Sequence, residues 1–124
     1  MRVLIVEPKR RPEVKEIDGS LKSMQEVVGG LIQALYPFDE PVALVCNDEG
    51  KLMNLPANRG LRDENGQIYD IIVGTFFICG APGDSDNFTS LTVEQIKRYC
   101  KRFHTPEVFL GMDGQIVCLP LEID

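Results

Sequence analysis

The sequence has no tryptophan, and its other large aromatic residues are three tyrosines and six phenylalanines. A surface that stacks the bases of single-stranded nucleic acid needs several exposed rings, so this composition gives such a function no support. Long apolar runs are also missing, since no window approaches the roughly 20 apolar residues that a membrane span requires. The first residues, MRVLIVEPKRR, carry their charges after a short apolar run, which is not the pattern of a signal peptide. We therefore expect neither a membrane anchor nor a membrane partner.

The sequence motifs of several enzyme classes are absent as well. There is no G-x-x-x-x-G-K-[ST], no G-x-G-x-x-G and no G-x-S-x-G, so nothing favours a P-loop hydrolase, a dinucleotide-binding enzyme or a serine esterase. The single histidine, His104, could act as a base or interact with the end of a helix, but the sequence shows no partner for it. These absences favour a protein that is not an enzyme, with no catalytic residue and no cofactor.

Metal-binding patterns are incomplete. Asp84 and Asp86, in GDSDN, resemble part of a calcium loop, but the closing glutamate is missing. The four cysteines are widely separated and lack the C-x-x-C spacing of metal and redox sites. Free thiols are typical of a reducing compartment and behave as small core residues. We therefore expect no metal site and a cytoplasmic location. The thiols predicted to be free and buried are Cys46, Cys79, Cys100 and Cys118.

The charge balance is acidic, with 13 basic and 19 acidic residues and a formal net charge of −6. A generally cationic surface is therefore excluded, and we do not expect direct binding to nucleic acid. An acidic protein can still bind an anion through a local basic patch. Two short segments are candidates, Lys9 to Arg11 and Lys97 to Arg102, although a solvated loop and a favourable helix end are the simpler interpretations.

The length of 124 residues is that of one domain, and short apolar runs separated by turns predict a single α+β domain over residues 1–124. We expect a mainly antiparallel sheet, because neighbouring runs this close together cannot return in parallel. The predicted strands include residues 2–7, 13–18, 31–36 and 42–47, a further extended segment at 51–54 after a turn at 48–50, and two last strands around Asp113-Gly114.

Two helices are predicted from their starting signals. Ser20 is a suitable N-cap for a helix over about residues 21–29. Thr92 and Gln95 have the spacing of a capping box, which predicts a second helix over about residues 93–103.

The longest apolar run, residues 68–79, reads IYDIIVGTFFIC. Its β-branched and aromatic residues predict one central strand that is covered on both faces. Gly74 interrupts this run, which indicates a bulge or a close approach of other backbone or a ligand. The Asn65-Gly66 pair before it accepts positive φ and predicts a tight turn that folds the strand back on the preceding segment.

The main functional hypothesis comes from the loop predicted before that turn, LPANRGLR, which would lie beside one end of the central strand. Arginine forks fit phosphate oxygens, and an aromatic ring face suits a base. We therefore predict a non-enzymatic binding module for a nucleotide-like or other phosphate-bearing small molecule. The predicted ligand-binding residues are Asn58, Arg59, Arg62, Gly74, Thr75 and Phe76.

Several segments together resemble a known family: MRVLIVEP, SLKSMQEVVGG, VALVCNDEGK, LPANR and YDIIVGTFFICG. They are similar to a family of small uncharacterised proteins, a domain of unknown function, carried by conjugative elements and phages of Gram-positive bacteria. The resemblance is close over the first two thirds of the chain. It implies an accessory protein of a mobile genetic element in a bacterial cytoplasm. It implies no activity, so it assigns no functional residue.

Two alternatives to the ligand site remain open. Arg59 and Arg62 could instead pair with acidic neighbours inside the protein. The candidate neighbours are Asp63, Glu64 and Asp70. The protein could also be an inhibitor or regulator that presents its acidic loops, FDE and GDSD, to a basic host protein, a role that would suit mobile DNA.

Overall fold

The computed structural model describes residues 1–122, which form an α+β fold of nine strands and two helices. All strand pairs in this range are antiparallel, so the predicted fold class is confirmed. The helices are α1 (Leu21–Val28) and α2 (Val93–Arg102). The strands are β1 (Arg2–Val6), β2 (Glu13–Glu16), β3 (Ile32–Leu35), β4 (Val42–Asn47), β5 (Ala57–Arg62), β6 (Ile68–Val73), β7 (Phe76–Gly80), β8 (Glu107–Met112) and β9 (Gln115–Pro120).

Five strands form the main sheet, in the order β2-β1-β7-β4-β3. Strand β7 lies at the centre, where Ile78 pairs with Leu4 of β1 on one side and with Leu44 of β4 on the other. Side chains alternate along a strand, so the apolar central strands supply an apolar layer on each face of the sheet. Both layers must be covered to be removed from water.

Helix α1 covers one face of the main sheet. Its buried residues Met24 and Val28 pack with Val3, Val45 and Phe77 from three neighbouring strands. The amphipathic pattern that predicted the helix therefore also identifies the side that faces the sheet.

The opposite face is covered by α2 together with the β5–β6 hairpin. Tyr99 and Phe103 of the α2 region pack in one cluster with Phe76 of the central strand, and the hairpin adds Leu61 and Ile72. The Phe76 and Phe103 rings meet edge to face, with centroids 5.4 Å apart. This layer fixes the end of α2 close to the hairpin, where the candidate site lies.

Both helices begin with the predicted capping residues. The Ser20 hydroxyl accepts a hydrogen bond from the Ser23 N–H at 3.0 Å. The Thr92 hydroxyl accepts from the Gln95 N–H, and the Gln95 side chain accepts from the Thr92 N–H. The predicted helices over 21–29 and 93–103 are confirmed and are each one residue longer than observed. Within residues 1–122, neither helix is long and apolar enough to cross a bilayer.

The prediction of one central strand over residues 68–79 is wrong. The run is divided at Gly74, whose φ is +74°, into β6 and β7, which belong to different sheets. Strand β7 is central, whereas β6 pairs with β5 in a separate hairpin. The left-handed backbone at Gly74 redirects the chain, so the glycine marks a break between strands and not a bulge within one.

Two predictions for the segments before β6 are also wrong. The segment expected to be an arginine-bearing loop is strand β5, because it pairs with β6. Residues 51–54 are turn and not strand. The predicted reversals are confirmed: the Gly66 N–H donates to the Asp63 carbonyl at 3.0 Å, and Asp113 and Gly114 have φ values of +50° and +76° between β8 and β9.

The break at Gly74 leads to a test by substitution. A Cβ added there would lie 2.7 Å from Leu55 Cδ1, at a positive φ that disfavours any side chain. We expect Gly74→Ala to lower the free energy of unfolding by about 1–3 kcal/mol, measured by urea denaturation. Gly83→Ala is the matched control, because Gly83 has open space around it and no positive φ. Equal stability of the two variants would contradict a required left-handed residue at 74.

Candidate functional site

The interior beside β5 contains a buried arginine. Arg59 is 1% exposed, and its guanidinium donates to backbone carbonyls from distant parts of the chain. Nε and Nη2 reach the Phe103 carbonyl at 3.2 and 3.0 Å, and Nη2 reaches the Arg10 carbonyl at 2.6 Å. Nη1 binds the Asn58 carbonyl at 3.3 Å and its side-chain Oδ1 at 2.8 Å. Burial lowers the pKa of Arg59, although the acceptors around it favour the cation.

Asn58 joins this cluster to the sheet. It is fully buried, and its Nδ2 donates to the Val6 carbonyl and the Gly74 carbonyl, each at 2.8 Å. Its Oδ1 accepts from Arg59. The side chain therefore satisfies backbone groups at the end of β1 and at the break between β6 and β7, where no ladder hydrogen bond is available.

The structure brings together part of the predicted ligand-binding set. Asn58, Arg59 and Gly74 form one hydrogen-bonded cluster, but these polar side chains bind groups inside the protein. Phe76 is a fully buried core residue, and Thr75 is the half-buried second residue of the connection to β7. Ligand binding by these residues stays a prediction. Of the six, Arg62 at the end of β5 has a substantially exposed side chain and faces a groove.

Arg62 forms an ion pair with Glu107, the first residue of β8. Nη2 lies 2.5 Å from Oε2, and Nη1 lies 3.1 Å from Oε1. Oε1 also accepts from the Gly60 N–H at 3.1 Å, and the Cys118 thiol donates to Oε2 at 2.5 Å. Internal pairing of an arginine is therefore confirmed for Arg62. The expected partners were wrong, because Glu107 is remote in the sequence.

The Glu107 carboxylate is stabilised in its charged form. Burial alone would raise its pKa, but hydrogen bonds from Arg62, Cys118 and the Gly60 N–H together lower the pKa below its ordinary value. The same hydrogen bond to Glu107 raises the pKa of Arg62. Burial and the adjacent carboxylate raise the pKa of Cys118 to about 11. At neutral pH this cluster is a carboxylate held by an arginine and a protonated thiol.

A groove lies where α2, the 37–40 loop and the β5–β6 turn meet, and we call it the arginine groove. It comprises two adjoining concavities of about 420 and 340 Å³, and both are lined by Arg62 and Arg102. The larger one is also lined by Arg98 and by three aromatic residues, Phe38, Tyr69 and Tyr99. Five acidic residues lie along the same groove: Asp39, Glu40, Asp63, Glu64 and Glu107.

The three arginines of the groove differ in their partners. Arg98 forms an ion pair with Glu40, and Arg62 forms one with Glu107. The Arg102 guanidinium carbon lies 4.9 Å from the centroid of the Phe38 ring. Within residues 1–122, no carboxylate lies in ion-pair range of Arg102. A cation placed over a ring face keeps hydrogen-bond donors that the ring does not use, and the Arg102 side chain lines both concavities of the groove.

The described residues contain little that could act as a nucleophile or hold a metal. Burial raises the pKa of Cys46 to about 11 and of Cys79 to about 12, so both thiols are protonated and weakly reactive at neutral pH. The predicted burial is confirmed for these two, while Cys100 and Cys118 are half-buried. His104 is exposed, just beyond α2. No group of three potential metal ligands occurs in residues 1–122.

Fold and site together define a small α+β protein with a groove, lined by both arginines and carboxylates, beside an antiparallel hairpin. The chain belongs to the family described as Domain of unknown function (DUF3846), which matches residues 1–104. The resemblance to a family of unknown function is thereby confirmed. No curated protein and no solved structure matches the chain.

The matched range ends just after α2. It includes the main sheet, both helices, the buried Asn58 and Arg59, and the arginines of the groove. Glu107 and the β8–β9 hairpin lie beyond it.

Sequence reasoning missed Arg102, Phe38 and Glu107 as members of the site. Arg102 was recognised as part of a basic helix end, but the groove depends on its position opposite β5. The only signal for Arg102 in the sequence was the basic segment at the helix end, and basic residues are common at the ends of helices.

The buried guanidinium predicts a specific sensitivity to Arg59→Lys. Lysine keeps the charge but cannot reproduce the planar fork that binds several carbonyl groups. We expect a loss of about 2–4 kcal/mol in the free energy of unfolding, because at least two buried carbonyl groups lose their donor. Urea denaturation measures this loss. Arg2→Lys, at an exposed position of β1, should change stability little, and an equally small effect at 59 would contradict the structural role.

The Glu107 cluster predicts a pH-dependent stability. Because the pKa of Glu107 is lower in the folded protein than its ordinary value of 4.5, its contribution is full above pH 4.5 and is lost as pH falls through the folded pKa. At pH 7 we expect Glu107→Gln to be less stable by about 1–3 kcal/mol. This difference should shrink as the pH is lowered below 4.5.

Urea denaturation at several pH values measures that difference. The matched control is Glu26→Gln, at an exposed position of α1, where no comparable change is expected. A stability difference for Glu107→Gln that stays constant through the acidic range would contradict a lowered pKa at this carboxylate.

Proposed function

We propose that this protein is a non-enzymatic binding module whose ligand is a phosphate-bearing small molecule, held in the arginine groove. The proposal keeps the predicted ligand class and Arg62. It moves the main phosphate contact from Arg59, whose donors are occupied inside the protein, to Arg102 on α2.

The observation that carries the proposal is the environment of Arg102. Its guanidinium is stacked on Phe38 and has no carboxylate in ion-pair range in the described part of the chain. A guanidinium that is not engaged by a carboxylate has N–H groups that can bind phosphate oxygens through two parallel hydrogen bonds.

The remaining groups of the groove limit the ligand further. Arg62 and Arg98 add positive potential although each is paired with a carboxylate. Tyr69 offers an exposed ring for an aromatic base. The acidic side chains of Asp63 and Glu64 can accept hydrogen bonds from ring amino groups but repel additional phosphates. A nucleoside monophosphate therefore fits this groove better than a polyphosphate or a nucleic-acid backbone.

We extend the proposal to the biological setting implied by the sequence resemblance, an accessory protein of mobile DNA in the cytoplasm of Gram-positive bacteria. A regulator that presents acidic loops to a basic host protein is the second candidate. The exposure of Asp84 and Asp86 in the loop before α2 favours it. By contrast, Glu40 of the other acidic loop is already bound by Arg98.

A thermal-shift titration tests the ligand. AMP is the probe, inorganic phosphate tests the anion alone, and adenosine tests the ring alone. Because a ligand that binds only the folded state raises its stability, we expect AMP to raise the Tm of the protein more than either fragment. The increase should disappear in Arg102→Gln and be reduced in Arg102→Lys.

The matched control is Lys97→Gln, since Lys97 is an exposed cation of the same helix that does not line the groove. It should keep the full response to AMP. A Tm that is unchanged by AMP up to millimolar concentrations, or a response that survives Arg102→Gln, would rule out the proposed site.

A further inference from the structure

The two edges of the main sheet, β2 and β3, differ in how they are protected. Every residue of β2 is exposed, and Glu13, Lys15 and Glu16 are charged. Charged side chains on an edge strand discourage pairing with another chain. Strand β3 reads IQAL, without charge or proline, and is flanked by Leu31 and Tyr36, which are 55% and 65% exposed. Of these two edges, β3 has the chemistry that accepts a further strand.

The free backbone groups of β3 follow from its register with β4. The Asp48 N–H donates to the Leu31 carbonyl at 2.8 Å, which identifies these two residues as a hydrogen-bonded pair. Such pairs alternate along an antiparallel ladder, so the backbone groups of Ile32 and Ala34 point away from β4. Within residues 1–122 these groups have no other hydrogen-bond partner. The N–H and carbonyl groups of both residues are therefore available along this edge.

An acidic concavity of about 280 Å³ lies beside this edge, between β3, the turn after β4, and β6. It is lined by Lys51, which pairs with Asp70 at 3.1 Å, and by two further carboxylates, Asp48 and Glu49. Neither of these two has a cation in ion-pair range in the described part of the chain. The concavity therefore keeps a negative charge. Gln33 of β3 lines it and is exposed, so the concavity reaches the edge of the sheet.

We propose that the free edge of β3 binds an extended, basic segment of a partner protein, which adds to the main sheet as a further strand. A strand added to an exposed edge gains affinity from main-chain hydrogen bonds and specificity from its alternate side chains. The antiparallel direction is the more stable one. The inference does not depend on the proposed ligand, because no residue of β3 lines the arginine groove.

The two faces of β3 specify the alternation of the added strand. Ile32 packs in the cluster covered by α1, whereas Gln33 lines the acidic concavity on the other face. Because cross-strand partners share a face, residues opposite Ile32 and Ala34 should be apolar. Residues opposite Leu31 and Gln33 should be basic, since charge complementarity favours a cation there. Strands lie about 4.8 Å apart, so a lysine opposite Leu31 is two spacings from Asp48, within the combined reach of the two side chains.

Charge argues against a second copy of this chain as the occupant. Residues 31–36 read LIQALY and include no basic residue. A copy paired through its own β3 would therefore bring no cation to Asp48 and Glu49. Each chain also carries a net charge of −6, which opposes self-association. A basic segment of a different protein satisfies both the free backbone groups and the unpaired carboxylates.

A short peptide that alternates valine and lysine, blocked at both ends, tests this inference. The control peptide alternates valine and glutamate. Isothermal titration calorimetry at low ionic strength should show the lysine peptide binding at least about tenfold more tightly than the glutamate peptide. At saturating lysine peptide, hydrogen exchange of the Ile32 and Ala34 amides should slow, because both acquire acceptors. N-methylation of the valines, whose N–H groups would face β3, should abolish binding, whereas N-methylation of the lysines should not.

Ala34→Pro tests the edge in the protein itself. The Ala34 N–H points away from β4, so proline removes a free donor and leaves the ladder intact, which thermal unfolding checks. We expect the lysine peptide to bind at least about tenfold more weakly. The matched control is Val14→Pro on β2. The Ile17 N–H donates to the Met1 carbonyl, so by the same alternation the Val14 N–H also points away from its partner strand. This variant should keep full binding.

The acidic groups are tested by combining Asp48→Asn with Glu49→Gln. This variant should bind the lysine peptide about threefold more weakly or less, with a smaller dependence on salt. No binding of the lysine peptide at millimolar concentration, or equal binding of both peptides, would overturn the proposal. Dimerisation that Ala34→Pro abolishes, measured by sedimentation equilibrium, would also overturn it, because a second copy would then occupy the edge.

Discussion

The structure depends on one buried cation, Arg59, whose guanidinium is bound by backbone carbonyl groups. Removing a charge from water costs several kcal/mol even after relaxation, and among residues 1–122 no carboxylate binds the guanidinium directly. The compensation comes from the carbonyl groups of Phe103, Arg10 and Asn58. One of these lies at the end of α2, where the helix dipole is negative. The guanidinium therefore supplies donors to carbonyl groups from three separate parts of the chain, and buried carbonyl groups need such partners.

This arrangement determines where the groove can form. The Phe103 carbonyl is held by Arg59, so the last turn of α2 has a fixed position relative to β5. Arg102 precedes the residue held in this way, and Arg62 lies three residues beyond Arg59 along β5. The core cation thus sets the separation of the two surface cations that line both concavities. A rigid, fully satisfied interior below an adaptable surface is how a binding site is usually supported.

The sequence predicts those features that depend on local chemistry and misses those that depend on distant backbone. Ser20, Thr92 and the Asp113-Gly114 turn are each specified by the side chains within a few residues, and the structure confirms them. The division at Gly74 could not be predicted, because the apolar run continues across it. The run is continuous because β6 and β7 both contribute apolar residues to the core. The role of Arg59 is even harder to predict from the sequence. Two of its acceptors lie 44 and 49 residues away and are backbone carbonyl groups, which every residue carries, so no sequence pattern identifies them.

The last hairpin shows how polar and apolar contacts serve different purposes in one element. The hairpin is attached by polar contacts at its first residue. The Glu107 carboxylate accepts hydrogen bonds from the Gly60 N–H and from Arg62, both on β5. Such directional contacts fix orientation more than they add stability. The hairpin lies outside the range matched by the family, and several of its aliphatic side chains, such as Met112 and Ile116, are exposed. The position of this hairpin therefore depends on the polar contacts of Glu107 more than on the burial of apolar side chains.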